Sequence, residues 1–542
     1  MKRNQVKFYV IALLSVVGLS SCTDLEIEET DSFISAGFQG LENPSSSVDQ
    51  LFNSARGHLE DQANTYALRE VTTDALLVPT RGADWGDNGR WRKLHQHEWG
   101  LEEQDITTPF DQWNAIQLLA SQILDSRSNA SADDAAQAHF MRAYAMWAIL
   151  DLYGQVPFRD TQLPSTSIPE VMSGAAAVDF ILTDCDAAIS GLATVAAGSG
   201  DDLDRGSKAA ARFLKAKVLL NRHIYDNQLT GGGGSPDSGD MASVVSLVDE
   251  IAADGFDLQA GYFEIFEQTE DNETIWWTAS GVGNRIFNGL HYNSTSLGGG
   301  GWNGFSTLAE YFDLFEGDPN SNRVETDLTP LDGQEERRGG VPPEGLPFTD
   351  RDNTEDEDGF EAGSNVGFGF LVGQQYDLNG DPLEDRQGGP LAFSRGFVDG
   401  DGNPNLINNS EITGIRVQKY GARFNGGFTG HSVQFRYADA HLMKAEAMMR
   451  SGGDPTALVN ELRAIRGVAP LGTVSETELL EERARELFVE GWRRNDMIRF
   501  GQYLRAWEFK GATETGNATR ALFPIPLPQL LANPNLVQNP GY

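Results

Sequence analysis

Tryptophans in glycine-bounded polar loops are the residues best placed to act at a surface. The chain carries ten tryptophans, and two stand clear of any helical pattern. Trp85 lies in the run Arg81-Gly82-Ala83-Asp84-Trp85-Gly86-Asp87-Asn88-Gly89, and Trp302 follows Gly298 to Gly301 and precedes Asn303-Gly304. An indole is broad, stiff and apolar on its faces, and glycine neighbours leave those faces uncovered. Such a ring stacks on the C–H face of a sugar, while carboxylates, amides and guanidinium groups hold the hydroxyl edge. Arg81, Asp84, Asp87 and Asn88 stand beside Trp85 as hydroxyl partners, and Asn303 adjoins Trp302. Trp91 and Trp99 are framed by helix-like sequence, and Trp276-Trp277 sits in the apolar run TIWWTA, so these four are read as core.

Other chemistry finds less support. Asp377-Leu-Asn379-Gly-Asp381 and Asp399-Gly-Asp401-Gly-Asn403 open like calcium loops. Each lacks the glutamate at the twelfth position, where Gly388 and Ser410 stand, so both are read as turns, with a structural Ca²⁺ the only cofactor left open. His95-Gln-His97 offers two imidazoles and no third ligand. Carboxylates abound, but no motif marks an acid or a nucleophile. Gly-x-Ser-x-Gly, HExxH, Walker A and dinucleotide fingerprints are all absent from the sequence.

The elements that must position these rings follow from composition and periodicity. The 542 residues are 40% hydrophobic and 22% charged, the composition of a folded globular chain with a sizeable core. With 79 acidic against 41 basic residues the net charge is −38. That repels nucleic acid and anionic lipid headgroups, and it suits neutral, cationic or metal-bridged ligands. Adaptation to a salty habitat would give the same balance.

Residues 1–21 read as a signal peptide: Lys2, Arg3 and Lys7 precede an apolar run from Phe8 to Leu19 that is too short to span a bilayer. Leu19-Ser20-Ser21-Cys22 resembles a lipobox, which predicts lipidation of Cys22 and a polar acidic tether over 22–45. No later segment is long and apolar enough to cross a membrane, so attachment is expected through the lipid alone. Cys185 then has no intrachain partner and is read as a small buried residue.

The stretch 46–254 is predicted helical, with helices at 132–153, 173–192, 207–225 and 239–254. The spacing suggests stacked helix pairs of tetratricopeptide type, with a loop at 72–99 carrying Trp85. From 255 to 430 glycine, aspartate and proline rise and helical periodicity fades, apart from 305–316. Residues 318–365 read as a long acidic excursion, and 366–430 as short strands and loops. Helical pattern returns over 431–542, at 432–451, 454–466 and 476–500, before a proline-rich tail. Arg483, Glu486, Glu490, Arg493, Arg494 and Asp496 are too dense to be buried unpaired, and are expected to form ion pairs joining the last helices to the body. Glu481–Arg485 and Glu490–Arg494 are expected as i, i+4 pairs.

Taken in order, MRAYAMWAILDLYGQVPF (141–158), FRYADAHLMKAEAMMRSGG (435–453), VNELRAIRG (459–467), ERARELFVEGWRRNDMIRFGQY (482–503) and FPIPLPQLLANPNLVQNPGY (523–542) resemble the SusD/RagB family of outer-membrane nutrient-binding lipoproteins. The resemblance runs essentially the length of the chain. It implies a mainly α fold, in which tetratricopeptide-type helix pairs support an irregular loop and short-strand subdomain that carries the ligand site. It also implies a lipid anchor on the extracellular face of the outer membrane, and a SusC-like TonB-dependent porin that the protein caps and supplies. It places Trp302 in the ligand-binding arc, with Tyr292 or Phe287 as an upstream aromatic. A glycan is the ligand it implies first, with peptide, as in the RagB branch, second. A surface glycoside hydrolase and a pure scaffold stand as weaker readings.

Overall fold

The computed structural model describes residues 37–542 apart from 231–232, 261, 267–270, 280–288, 295–300, 316–339, 342–367, 376–382, 421, 424–426 and 429–430. Cys22, Phe287, the first calcium-like run and most of the acidic excursion lie outside the described residues.

The chain enters through helices α1 (Pro44–Glu60) and α2 (Asn64–Glu70), followed by α3 (Arg90–Gln96) and α4 (Gln104–Leu124). Helix α5 (Ala132–Tyr153) begins where the sequence says it should. The Ser131 side chain accepts from the Asp134 N–H, Asp133 and Asp134 lie in the first turn, and Gly154 ends the helix at φ 73°. Strands β1 (Gln155–Phe158) and β2 (Glu170–Ser173) form an antiparallel hairpin. Then come α6 (Gly174–Gly191), α7 (Lys208–Tyr225) and α8 (Ser238–Ala253). Each helix from α4 to α8 packs on the next, and α8 also packs on α10 (described below), giving the stacked helical layer that the spacing suggested. Phe140, Ala143, Trp147 and Leu150 are all buried in it. Cys185 is buried on α6, and burial holds its thiol well above the usual range.

The middle of the chain is short strands. Strand β3 (Thr274–Ala279) precedes a one-turn helix, α9 (Ala309–Phe312). Strands β4 (Gly340–Val341), β5 (Phe368–Leu371), β6 (Gly373–Gln374), β7 (Ala392–Phe393), β8 (Arg416–Gln418), β9 (Ala422–Arg423) and β10 (Gly427–Phe428) follow, with β4-β5-β8 forming one small sheet. The predicted helix over 305–316 shrinks to α9, because Ser306 pairs with Leu77 and Thr307 with Ile415 as isolated bridges. Trp276 and Trp277 are both buried, as are Trp91 and Trp99.

Two predicted helices are divided. The 432–451 run splits into strand β11 (His431–Arg436), paired antiparallel with β3, and helix α10 (Tyr437–Arg450). After α11 (Thr456–Ile465), the 476–500 run breaks into α12 (Glu476–Glu486) and α13 (Arg493–Arg499). Val489 and Gly491 at the break take φ 54° and 87°, outside helical space. Glu490 is thereby drawn away from Arg494. It pairs instead with Lys419 and Arg436, while Arg494 meets Asp151. Glu481 does approach Arg485, at 3.8 Å.

The expected ion pairs to the body are present. Arg483 bridges Asp439 and Asp496, Arg493 holds Asp74 and Arg499 holds Glu446, all with both partners buried. The tail carries the short helix α14 (Leu527–Ala532) and lies against the end of α5. The Phe523 N–H donates to Leu152 O at 2.9 Å, and Asn539 Nδ2 to Tyr153 O at 2.9 Å.

Two apolar cores result. The larger lies among the helices and reaches to Trp85 and Phe305. The smaller joins the short strands and α9 to Phe488, Met497, Tyr503 and Trp507. The segment 301–308 runs between them.

Candidate functional site

Among the described residues of the irregular region, Trp302 is the most exposed large apolar side chain, with 60% of its surface open. Its backbone is fixed on both sides. The Gly301 N–H donates to His291 O at 2.7 Å and the Asn303 N–H to Leu290 O at 2.8 Å. Asn303 sits at φ 54°, a left-handed position that asparagine tolerates better than most residues.

Asn303 itself points inward. Its Nδ2 donates to Glu411 O at 3.0 Å, and its Oδ1 accepts from Arg416 Nη2 at 2.7 Å. Its carbonyl accepts from Arg81 Nε at 2.8 Å. Arg81 also donates to Ser410 O, Thr413 Oγ1 and Ser306 Oγ. Arg81 and Arg416 are both buried, and among the described residues neither forms an ion pair with a carboxylate; burial pulls Arg81 down to about 9 and Arg416 well below its usual range. Two guanidinium groups therefore bolt the Trp302 loop to the segment 410–416 from below. This corrects two sequence readings. Arg81 and Asn303, expected as hydroxyl partners, are enclosed, because the backbone carbonyls under this loop need buried donors.

Trp85 is placed beside Trp302 but differently from expectation. The loop turns tightly, with Arg81 and Asp84 exchanging backbone hydrogen bonds and Gly82 at φ 57°. Trp85 is half-buried, edge-on to Trp91 and Phe305 at ring separations of 5.9 and 5.8 Å. Its Nε1–H donates to Trp302 O at 2.6 Å. Gly304 lies against the same ring: a Cβ there would stand 2.3 Å from Trp85 Cε2. Trp85 thus props the backbone that carries Trp302, with a partly open edge of its own.

Tyr292 and Asp84 complete the exposed patch. The Tyr292 hydroxyl donates to Asp84 Oδ2, and burial together with this bond raises its pKa. The Arg386 guanidinium lies over the Tyr292 ring at 3.7 Å. Arg386 also reaches Asp84 at 3.2 Å and pairs with Glu411. Glu411 accepts the Arg386 N–H at 3.1 Å and meets His291 Nε2 at 3.1 Å. Burial would raise the Glu411 carboxyl, but these contacts with Arg386 and His291 outweigh it and leave the pKa lowered; burial pulls His291 down to about 4, so it is neutral at pH 7.

Arg386, Glu411 and His291 were not singled out in the sequence. They come from three distant segments, and no local pattern links them. Asp87 accepts from Trp91 Nε1–H at 2.8 Å, and Asn88 is exposed.

The patch is an open indole face beside a half-exposed carboxylate and a planar guanidinium stacked on a phenol ring. It can stack on an apolar ring face and exchange hydrogen bonds with hydroxyls. It is not arranged for hydrolysis: Asp84 and Glu411 are tied to the same Arg386, whereas a glycosidase keeps one carboxyl as a free acid. His95 and His97 are buried apart from it, bonded to Glu508 O and Thr72 O. Asp399 accepts the N–H groups of Asp401 and Asn403 and closes a turn. Among the described residues no group of three or more His, Cys, Asp or Glu could hold a metal ion, and no helix is long and apolar enough to cross a membrane.

Comparison with known proteins places the chain. The model of the SusD family matches residues 272–542, half of the sequence, including the Trp302 loop and all the helices after it. The chain belongs to the SusD family. A curated relative, the starch-binding protein SusD of Bacteroides thetaiotaomicron, is 26% identical over 441 residues, covering 75% of this chain and 72% of the relative. A SusD-like protein of Formosa agariphila is 35% identical over a shorter stretch of 126 residues, 20% of this chain and 24% of that protein. Among solved structures, a SusD-like protein of Bacteroides fragilis superposes with a TM-score of 0.64 at 18% identity, covering 93% of this chain and 98% of that one. A laminarin-binding SusD-like protein gives 0.59 at 18% identity, covering 93% and 100%. The mainly helical SusD-like fold expected from the sequence is therefore the fold observed. SusD-family proteins bind carbohydrate and are not enzymes.

Proposed function

We propose that this protein captures neutral oligo- or polysaccharide at the Trp302 patch and delivers it to a SusC-like TonB-dependent transporter. In this reading a lipid on Cys22 holds it on the extracellular face of the outer membrane. The observation that carries the proposal is a 60%-exposed indole on a backbone held by hydrogen bonds from Arg81 and Trp85. An exposed ring on a mobile loop would lose conformational freedom on stacking, whereas this one is already fixed. Asp84 and the outer edge of Arg386 are in place for hydroxyls.

A neutral ligand fits the charge around the ring. Arg386 is engaged by two carboxylates, and Glu384 and Asp385 adjoin it in a chain of net charge −38. A polyuronide would face repulsion from these groups. The named relatives, starch-binding and laminarin-binding, agree with a neutral glucan class. No metal enters this reading, so retention by the ligand is expected to survive chelation.

Affinity electrophoresis through gels containing starch, laminarin, polygalacturonate or alginate tests it. Retardation is expected in one or more neutral gels, unchanged by EDTA and by salt. Free migration in every neutral gel, with binding to a peptide pool instead, would overturn the glycan assignment.

A further inference from the structure

The second aromatic ring of the patch is already covered by the protein itself. The segment 290–292 runs beside 301–303, bonded to it through the Leu290 and His291 carbonyls. The Tyr292 hydroxyl reaches Asp84, whose neighbour Trp85 holds Trp302 O. A phenol so close to Trp302 is a natural platform for a second sugar. The Arg386 guanidinium lies over it instead, 3.7 Å from the ring centroid. Of the two side chains Arg386 is the outer one: 47% of it is open to solvent, whereas Tyr292 is half-buried. A planar guanidinium on a phenol face is a favourable stack, and it takes the face that a sugar would use.

The cover is braced on several sides. Arg386 Nε pairs with Glu411, and Nη2 reaches Asp84 at 3.2 Å. The Arg386 N–H donates to Glu411 Oε2 at 3.1 Å, so the same carboxylate fixes backbone and side chain. The turn that carries Arg386 is closed by Asp385, whose Oδ1 accepts the N–H groups of Gln387 and Gly389 at 2.8 and 2.9 Å. That turn is fastened next to the phenol, because Asn293 Nδ2 donates to Glu384 O at 2.7 Å. A surface arginine on its own samples many rotamers, but here a ring, two carboxylates and a tight turn select one. A sugar entering over Tyr292 would have to break the stack and take this cation from Glu411 and Asp84 together.

We infer that Arg386 is a specificity-determining residue that fills a second sugar position on Tyr292. The site then stacks one ring, on Trp302, and meets the neighbouring sugar only at its hydroxyl edge. The inference rests on the glycan reading of the Trp302 patch. Its consequence is a ligand-length rule: affinity rises over the first sugar units and then levels, because a longer oligosaccharide finds no second open ring.

The test is isothermal titration with a size series, disaccharide to heptasaccharide, cut from the neutral polymer that retards the wild type. Three proteins are compared: wild type, Arg386→Ala, and Arg386→Ala combined with Tyr292→Ala. Arg386→Lys keeps a cation for Glu411 without a flat group over the ring, and is read instead if the alanine variant melts early. The inference expects Arg386→Ala to bind the shortest ligand no better than wild type. It should bind the longest up to about tenfold tighter, the worth of one uncovered ring. Tyr292→Ala in that background should abolish the gain. Weaker binding of Arg386→Ala at every length, or an unchanged dependence on length, overturns the inference and leaves the glycan reading standing. A gain that survives Tyr292→Ala overturns it too. No binding by wild type at any length overturns the glycan reading, and this inference with it.

Discussion

Replacing Trp302 with alanine isolates the contribution of the stacking face. The side chain is 60% exposed, which for an indole of about 250 Å² leaves roughly 150 Å² open. A sugar stacked on one face would cover about half of that, and at about 25 cal/mol per Å² the contact is worth ~2 kcal/mol. The expected loss is therefore about thirtyfold in affinity, since ~1.4 kcal/mol is a factor of ten. Stability should hardly change, because the ring touches little of the core and its backbone stays held, by Trp85 at the Trp302 carbonyl that alanine retains and by Arg81 at the neighbouring Asn303 carbonyl. Isothermal titration with an oligosaccharide of the polymer that retards the wild type would give the number, with a thermal melt alongside. A fall of less than threefold with an intact melt would refute the idea that this ring is the platform.

Three further outcomes follow from the same contacts. Gly304→Ala puts a Cβ 2.3 Å from Trp85 Cε2, so the ring must shift and its bond to Trp302 O must go; titration should show weaker glycan binding than wild type, while circular dichroism stays native. Arg499→Ala leaves Glu446 and Asp496 buried without that counter-charge, and urea denaturation should show a loss of about 3–5 kcal/mol. Glu70 and Glu446 should shape the pH profile with opposite signs. Burial raises Glu70 to about 7, so its ionisation destabilises the fold as pH climbs from the ordinary carboxylate range through 7. Glu446 is held near 2 by Arg499 against the effect of burial, so the stability it lends is present above its unfolded pKa and lost as pH falls towards 2. Glu70→Gln should flatten the fall in stability between pH 5 and pH 7, measured as the urea midpoint at both, and keep the loss at lower pH.

Much of the helical layer was legible because its signals are local. Helix 132–153 is bounded by a serine cap, two acidic residues in the first turn and a left-handed glycine, and the structure places it at those residues. The breaks were not legible. His431–Arg436 becomes a strand only because Thr274–Ala279, more than a hundred and fifty residues away, offers it a partner. The 476–500 run is interrupted because the Gly491 N–H is taken by Glu70, a contact invisible in the helical periodicity. At the site, exposure of Trp302 could be argued from its glycines and asparagine. The roles of Arg81 and Asn303 could not, since a polar residue in a polar loop looks the same whether it faces solvent or caps a buried carbonyl. Tyr292 was placed near the ring, but the guanidinium of Arg386 lying over it depends on a turn ninety residues later.

The central claim is that a sugar ring rests on Trp302. A crystal structure of the protein with a bound malto- or laminari-oligosaccharide, chosen by gel retardation, tests it most directly. The account predicts a pyranose lying parallel to the indole of Trp302 at van der Waals distance, with hydroxyls on Asp84 and Arg386. An oligosaccharide seated elsewhere, with the Trp302 face still open to solvent, would contradict it.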